Sequence, residues 1–279
     1  MNSPFGLIQF KGDQTLKVLQ GQCTQMVTGL STEHAPLVAF CDPKGRMFGS
    51  GRLLQYNNLV SLITPIDQSD ALLKRLHPFL ALSRVSAALT EIPVGLVAQS
   101  SLSPAVCQHQ PGTTRVGEFG NTQWQVGDQD QLHDPKADIA RLSAGLGFVR
   151  QGSADLLIPQ QAHYQMLGGV NFNKGCYTGQ EVIARLEHLG QAKKYLYVYR
   201  EAPVYPGESV ELDGTSFQVF DAANDQEDQA ALLLAPVSVN LKQLIHVPLT
   251  ITRQVEGQRP VKLCQPLCCQ SLVDLAKRS

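Results

Sequence analysis

The segment from residue 173 to 182, NKGCYTGQEV, places one cysteine immediately before a predicted helix. Thr178 and Glu181 have the spacing of a capping box, in which Thr178 is the N-cap and the glutamate reaches back to a free backbone amide. Apolar residues then recur at helical spacing, so we predict a helix over about 179–189. Cys176 therefore lies just ahead of a helix N-terminus.

The position of Cys176 favours a reactive thiol. A helix N-terminus carries partial positive charge, and together with the ammonium of Lys174 it favours thiolate over thiol. The sulfur would then be a better nucleophile or a better metal ligand. The alternative for Cys176 is a small buried apolar residue without chemistry, and the alternative for Lys174 is an exposed surface lysine.

The other residues of this segment are predicted to shape it. Gly175 and Gly179 are expected at positive φ, which glycine adopts without steric cost. Arg185 follows Glu181 by one helical turn, and we expect the two to form an ion pair. For Tyr177, packing beneath the loop competes with stacking on a ligand ring.

Length and composition describe an ordinary folded protein. The chain has 279 residues, of which 43% are hydrophobic and 17% charged, and its formal net charge is −1. These values argue against disorder and against a protein that binds nucleic acid directly through a strongly basic surface. No signal-peptide pattern opens the sequence and no run approaches 18 apolar residues, so we expect a cytoplasmic protein that does not engage a membrane.

The cysteines are seven in number, at positions 23, 41, 107, 176, 264, 268 and 269. An odd number of scattered cysteines in a chain of this size predicts reduced thiols, not a disulfide framework. Cys264, Cys268 and Cys269 cluster as C-x₃-C-C, which matches no common zinc spacing, and no histidine follows them. We therefore predict no metal site there.

The elements that must position these residues alternate between strands and helices, which predicts an α+β chain. The first part is predicted to form a strand, a short helix, a meander of antiparallel strands and a helix capped by Asp67, which Pro78 should end or bend. The last part is predicted to form a compact barrel, followed by a tail without a clear partner from about residue 255. The predicted strands and hairpins are 5–10, 37–42, 46–56, 59–64, 84–92, 93–99, 195–200, 208–222 and 231–239, and the predicted helices are 14–20, 67–80 and 138–146.

Three segments resemble motifs of one protein family. Residues 174–185, KGCYTGQEVIAR, reproduce K-G-C-Y-x-G-Q-E-x-x-A-R, a motif that includes Gln180. Residues 19–24, LQGQCT, resemble L-Q-G-Q-x-T, and residues 41–46, CDPKGR, resemble C-D-x-K-G-R. The resemblance is to the YgfZ family of folate-binding, tRNA-modification and iron–sulfur-maintenance proteins. That family is related to the T-protein of the glycine cleavage system, an aminomethyltransferase that uses tetrahydrofolate.

The resemblance implies a fold and its boundaries. Residues 1–192 would form a folate-binding α+β region of two interleaved subdomains around a central cavity. Residues 193–250 would form a C-terminal β-barrel, and residues 251–279 a tail. Folate would occupy the cavity, with the Cys176 loop near its mouth.

The resemblance also implies contacts to tetrahydrofolate. The residues assigned to it are Phe5, Gln20, Gln22, Tyr177 and Arg141. Hydrogen bonding within the Cys176 loop is the alternative for the two glutamines. Three positions depart from the family: Met26 replaces an aspartate, Ser143 replaces a carboxylate that would bind the donor edge of the pterin ring, and Ala137 replaces an aromatic residue. A serine hydroxyl offers one uncharged contact, so these departures weaken the prediction of folate binding.

The function that the resemblance implies is that of a folate-binding accessory protein. It would support iron–sulfur cluster assembly or repair, and thereby tRNA modification, with Cys176 and Lys174 as catalytic residues and with iron–sulfur or tRNA-modifying enzymes as partners. The thiol could ligate iron transiently with another protein's cysteines, exchange with a partner disulfide, or attack a folate-borne one-carbon unit. One alternative is a tetrahydrofolate-dependent aminomethyltransferase, although the Asn-rich turn beside its catalytic aspartate is missing around Asp67. A second alternative is a folate-free docking scaffold.

Overall fold

The computed structural model describes residues 3–127, 133–212, 215–226, 228–237, 249–251 and 263–264. Within these residues the chain is α+β, as predicted, and its strands form three antiparallel sheets. The α-helices are α1 Thr15–Gln22, α2 Ile66–Leu82, α3 Pro135–Ser143 and α4 Gln180–Leu189, and two short 3₁₀ helices cover Gln151–Ser153 and Pro159–Ala162.

The first sheet has five strands in the order β2-β3-β4-β1-β5. They are β1 Phe5–Lys11, β2 Leu37–Cys41, β3 Met47–Tyr56, β4 Leu59–Pro65 and β5 Ser86–Leu89. The predicted meander is confirmed, and the turn between β3 and β4 shows why the sequence specified it. Asn57 and Asn58 both have positive φ in the two-residue loop between β3 and β4, a conformation that asparagine tolerates in such hairpins.

Helix α2 covers one face of this sheet. Leu72 and Leu76 are fully buried in a core that also contains Ile8 of β1 and Leu62 of β4. The prediction that Asp67 caps this helix is wrong, because the helix begins at Ile66 with Pro65 at the N-cap. Pro78 also fails to end the helix, which continues to Leu82.

The second sheet comes from a stretch whose strand order the sequence left open. It contains β6 Val94–Ala98, β7 Cys107–Gln110, β8 Thr113–Glu118 and β9 Thr122–Val126, in the order β6-β9-β8-β7. Trp124 of β9 is fully buried and shares one core with Leu7 of β1. The first two sheets therefore pack around common apolar side chains.

The third sheet has six strands in the order β14-β11-β12-β13-β10-β15. They are β10 Lys194–Tyr199, β11 Ser209–Leu212, β12 Thr215–Asn224, β13 Gln229–Pro236, β14 Leu249–Ile251 and β15 Leu263–Cys264. The described strands form an open series, so the predicted barrel is not confirmed. The prediction that the tail lacks a partner is wrong at Leu263 and Cys264, which pair with Tyr199 and Val198. Cys268 and Cys269 lie outside the described residues.

Helix α3 connects this third sheet to the rest of the chain. It packs against β12 and β13, and its Arg141 forms a buried ion pair with Asp221 of β12, 3.0 Å between nitrogen and oxygen. The helix begins at Pro135 and ends at Ser143, three residues earlier at both ends than the predicted 138–146. Among the described residues, no helix is long and apolar enough to span a membrane.

Candidate functional site

The three motif segments, which are far apart along the chain, meet in the folded protein. The amide of Thr178 donates to the carbonyl oxygen of Gly21 at 3.2 Å, which joins the Cys176 loop to the segment 19–24. On its other side, Gly179 approaches the turn of the segment 41–46 so closely that a Cβ at residue 179 would lie 2.5 Å from the carbonyl oxygen of Asp42. The Cys176 loop is therefore held between the two other motif segments.

The side chain of Lys174 fastens the loop from inside. Its ammonium donates to the carbonyl oxygens of Gln20 at 2.6 Å, Cys23 at 2.6 Å and Gln25 at 3.0 Å, so all three of its hydrogens have acceptors. The residue is only 5% exposed, and burial lowers the pKa of Lys174. The alternative of an exposed surface lysine is thus wrong. A catalytic role for Lys174 stays a prediction, because the contacts found are structural.

Cys176, in contrast to Lys174, is exposed to solvent. Cys176 and Gly175 are exposed, whereas Lys174 and Tyr177 on either side are buried. The alternative of a buried apolar cysteine is therefore wrong for Cys176. The loop presents its sulfur outward because the residues flanking it are anchored inward.

Three other cysteines are less accessible to solvent than Cys176. Cys23 and Cys41 are fully buried, and burial raises the pKa of both thiols. Cys107 on β7 is half-buried, and burial raises its pKa to about 11. Among the cysteines whose exposure the structure describes, Cys176 is the one that offers its thiol to solvent.

The start of helix α4 differs from the predicted capping box. The N-cap is Gly179, not Thr178, and its φ of 85° lies in the left-handed region that favours glycine. The hydroxyl of Thr178 instead donates to the side-chain oxygen of Gln22 at 3.3 Å. The helix start has no side-chain cap, and the side-chain oxygen of Gln180 accepts from the amide of Tyr177 in the preceding loop at 3.3 Å.

Two further expectations for the motif fail. Gly175 does not have positive φ, and a Cβ added there would meet no atom within 4 Å, so the backbone does not require glycine at this position. Glu181 lies in the first turn of α4, but within the described residues it forms no ion pair with Arg185. Both charged side chains are free to face a partner surface or solvent.

Three of the residues assigned to folate are engaged in hydrogen bonds or packing in or beside the Cys176 loop. The side-chain oxygen of Gln20 accepts from the amide of Val27 at 2.8 Å, and Gln22 accepts from the threonine hydroxyl described above. Tyr177 is 7% exposed, packs into the main core, and its ring lies 4.8 Å from the ammonium of Lys174. Burial also raises the pKa of this phenol. Loop hydrogen bonding and packing, the alternatives for these residues, are the roles observed.

Phe5 is enclosed by other side chains. It is 2% exposed, and its ring centroid lies 4.8 Å from that of Trp124 and 5.9 Å from that of Phe148, both edge-on. The guanidinium groups of Arg141 and Arg150 lie 5.5 and 5.8 Å from the same ring. A flat ligand would have to displace these neighbours in order to stack on Phe5.

Arg141 is fully buried, and its guanidinium donates hydrogen bonds to acceptors inside the protein. Its Nε donates to Asp138 at 2.8 Å, and one terminal nitrogen donates to the carbonyl oxygen of Leu146 at 2.6 Å and to Asp221 at 3.0 Å. The other terminal nitrogen also donates to Asp138. Burial disfavours the charge, but the two carboxylates outweigh it and raise the pKa of Arg141. This guanidinium joins α3 to the third sheet.

The positions that depart from the family complete the test for tetrahydrofolate. Ser143 donates to the carbonyl oxygen of Ile139 at 2.6 Å and accepts from Arg200, while Ala137 is fully buried. Pterin recognition needs an open aromatic face and an acceptor for the donor edge of the ring. The assigned residues offer neither in this structure, so they do not fit the cofactor.

One structural residue of the site was missed by the sequence reasoning. Thr24 is fully buried, and its hydroxyl donates to the carbonyl oxygen of Gly169 at 2.6 Å and accepts from the amide of Ala39 at 3.0 Å. It thereby joins β2 to the chain leading into the Cys176 loop. The sequence did contain a signal for this role, because Thr24 is the threonine of the L-Q-G-Q-x-T motif.

Comparison with known proteins confirms the resemblance. No family model matches the chain. Proteins named tRNA-modifying protein YgfZ match it: the one from Colwellia psychrerythraea is 29% identical over 223 residues, covering 70% of this chain and 69% of that protein. The one from Sodalis glossinidius is 28% identical over 241 residues, covering 75% and 74%. The one from Klebsiella pneumoniae is 28% identical over 253 residues, covering 80% and 73%.

The fold is shared with a solved structure. The crystal structure of glycine cleavage system aminomethyltransferase T from Bartonella henselae matches with a TM-score of 0.67, covering 95% of this chain and 84% of that chain. The two sequences are 13% identical, so the likeness concerns the fold. The predicted likeness of fold to the T-protein is thus confirmed.

Proposed function

We propose that this chain, a homologue of the YgfZ proteins, is a cytoplasmic accessory protein that supports iron–sulfur cluster assembly or repair and thereby tRNA modification. Its reactive group is the thiol of Cys176. The observation that carries the proposal is the exposure of this one thiol on a loop that the other two motif segments clamp. The relatives named tRNA-modifying protein support the pathway.

The geometry suits a thiol that meets another macromolecule. Lys174 and Tyr177 are buried on either side, which restrains the backbone while leaving the sulfur outside. Helix α4 begins at Gln180, four positions after the cysteine, so the positive end of its dipole follows the loop. A restrained, accessible thiol loses little conformational freedom when a partner binds it.

Iron ligation by Cys176 would require ligands from a partner. Among the described residues, no group of three or more His, Cys, Asp and Glu side chains could hold a metal ion. A cluster in transfer would therefore bind one thiolate from this chain and the rest from its donor or acceptor protein. Disulfide exchange is the competing chemistry, in which the thiolate attacks a partner disulfide and releases the partner's second sulfur as thiolate.

Binding of tetrahydrofolate is a separate question from the function of the thiol. The resemblance implies tetrahydrofolate, but Phe5 and Arg141 are engaged internally and Ser143 replaces the expected carboxylate. We therefore derive no step through the cofactor. Equilibrium dialysis with tetrahydrofolate tests it directly, and saturable binding that is lost in Phe5→Ala but retained in Cys176→Ala would restore the folate prediction.

The same engaged residues favour the folate-free docking scaffold as the second candidate function. A scaffold would need the shape of the Cys176 loop but not its sulfur. The aminomethyltransferase alternative has the shared fold in its favour, but Asp67 is paired with Arg150 at 3.1 Å, so this carboxylate is not free for chemistry on a folate nitrogen.

The deciding experiment is complementation of a strain that lacks its own YgfZ homologue. We expect wild type to restore modified tRNA nucleosides and iron–sulfur enzyme activity, and Cys176→Ala to restore neither while unfolding at the same denaturant concentration. Cys107→Ala is the matched control, since it removes a half-buried thiol outside the motif segments. Full rescue by Cys176→Ala would reject the thiol function and favour the scaffold.

A further inference from the structure

The edge strands of the first sheet are β2 and β5, and they differ in whether another described segment covers them. Along β2, the edge is covered by the segment 19–24, because the amide of Thr24 donates to the carbonyl oxygen of Ala39 at 2.9 Å. Along β5, no described strand pairs with the outer side. An uncovered strand edge exposes backbone donors and acceptors that can pair with another chain.

The backbone groups that face outward on β5 can be identified. The amide of Thr90 donates to the carbonyl oxygen of Leu7 at 2.9 Å, and Ala88 is opposite Gln9 in the same antiparallel register. Because hydrogen-bonded positions alternate in an antiparallel pair, the amides and carbonyls of Ala87 and Leu89 point away from β1. These are the groups that an added strand would meet.

A groove runs beside this edge, between α2 and β5. It has a volume of about 560 Å³ and is lined by Leu73, Lys74, His77, Leu80, Ala81, Val85, Ser86 and Ala87. Protein pockets that take ligands occupy about 300–1,000 Å³, so the groove has room for several side chains. Its floor is apolar, which suits aliphatic side chains on one face of an added strand.

The ionisable side chains that line the groove are basic. Lys74 and His77 are exposed on α2, and neither forms an ion pair with any described residue. The lining contains no carboxylate. Asp70, one helical turn before Lys74, is exposed outside the lining. The rim therefore complements acidic side chains and repels basic ones.

We propose that the open edge of β5 and this groove form a docking site for an extended segment of a partner protein. The segment adds to β5 as a strand, places alternate aliphatic side chains in the groove, and sets carboxylates beside Lys74 and His77. Strand addition supplies affinity through main-chain hydrogen bonds and specificity through the pocket for alternate side chains. The site would bring a partner to the same protein that carries Cys176, and it does not depend on the thiol.

The first test uses synthetic peptides and the full chain. A fluorescein-labelled hexapeptide with Val or Leu at alternate positions and Glu between them is titrated by fluorescence anisotropy. We expect saturable binding, and at least about threefold weaker binding when the Glu residues are replaced by Lys, because attraction to the ammonium of Lys74 becomes repulsion. Equal affinity for both peptides, or no binding at about 1 mM peptide, would overturn the proposal.

The second test asks whether the peptide binds as a strand. Two versions of the acidic peptide carry N-methyl groups on the two alternating sets of amides. An added strand directs only one set toward β5, so one version should lose binding and the other should keep it. Retention of binding by both versions would exclude strand addition.

The third test places the site on the protein. The double variant Lys74→Glu, His77→Glu should prefer the Lys peptide, whereas Lys44→Glu, a charge change on the exposed turn after β2, should leave the preference unchanged. Cys176→Ala should bind the peptide normally, which separates this proposal from the thiol function. Dimerisation that Ala87→Pro abolishes would assign the edge to a second copy of the chain and overturn the proposal.

Discussion

The ammonium of Lys174 lies 2.6 Å from the carbonyl oxygen of Cys23, across 151 positions of sequence. This contact joins the segment 19–24 to the Cys176 loop, and two further carbonyl oxygens complete it. Removing the ammonium would take a hydrogen-bond donor from all three carbonyl oxygens and leave the buried carbonyl of Cys23 unsatisfied, which costs free energy. The lysine therefore anchors the loop that exposes Cys176 to the segment 19–24 and to Gln25.

Lys174→Met should destabilise the protein and loosen the loop. The substitution keeps the volume but leaves three carbonyl oxygens without their donor, so we expect a loss of at least about 2 kcal/mol in the free energy of unfolding. Urea denaturation measures this loss. Lys44→Met, on an exposed turn, is the control and should change stability by less than about 0.5 kcal/mol. A stability equal to wild type would contradict the fastening role.

The cysteines should react with iodoacetamide in an order set by their surroundings. Cys176 is exposed and should be labelled first, and Cys23 and Cys41 should react only after unfolding because they are buried and burial raises their pKa. Time-resolved mass spectrometry of tryptic peptides gives the order. Labelling of Cys41 as fast as Cys176 in the folded protein would contradict it.

Cys107 provides the pH dependence. Burial raises its pKa to about 11, so at pH 8 about one thiol in a thousand is ionised. Because the thiolate is the reacting form, its labelling rate should rise about tenfold for each pH unit and level off only near pH 11. A rate that levels off below pH 9 in the folded protein would show an ordinary, unburied thiol.

The sequence predicted local features well and long-range ones poorly. The hairpin of β3 and β4 and the position of Cys176 ahead of a helix depend on neighbouring residues, and both predictions are confirmed. The capping box at Thr178 failed because its hydroxyl bonds to Gln22, which is 156 positions away. A pattern of four residues carries no information about such a partner.

The surroundings of the residues assigned to folate could not be read from the sequence for a related reason. The family resemblance assigned Phe5 to folate, but the surroundings of Phe5 depend on side chains from other elements, among them Trp124 and Phe148. The same holds for Arg141, whose acceptor Asp221 lies 80 positions later on β12. The meeting of the three motif segments likewise could be recognised only after the chain had been folded.

Substitution by alanine should affect stability differently at the two glycines of the Cys176 loop, Gly175 and Gly179. Gly179→Ala forces a side chain into positive φ and places Cβ 2.5 Å from the carbonyl oxygen of Asp42, so we expect a loss of more than about 1 kcal/mol. Gly175→Ala meets no atom within 4 Å and should stay within about 0.5 kcal/mol of wild type. Urea denaturation of the pair makes each variant the control for the other, and equal losses would refute the role of Gly179.

Asp221→Asn should detach the third sheet from α3. Asp221 is fully buried, and it accepts from Arg141 at 3.0 Å and from the amide of Phe148 at 2.9 Å. The amide has nearly the same shape but no charge, so a buried guanidinium loses one of its two carboxylates, and breaking such a pair costs about 3–5 kcal/mol. Asp228→Asn is the matched control, because Asp228 pairs with Arg200 at 3.7 Å on the surface, where such pairs contribute less than about 1 kcal/mol. Similar unfolding midpoints in urea for the two variants would show that the buried pair does not hold the sheet in place.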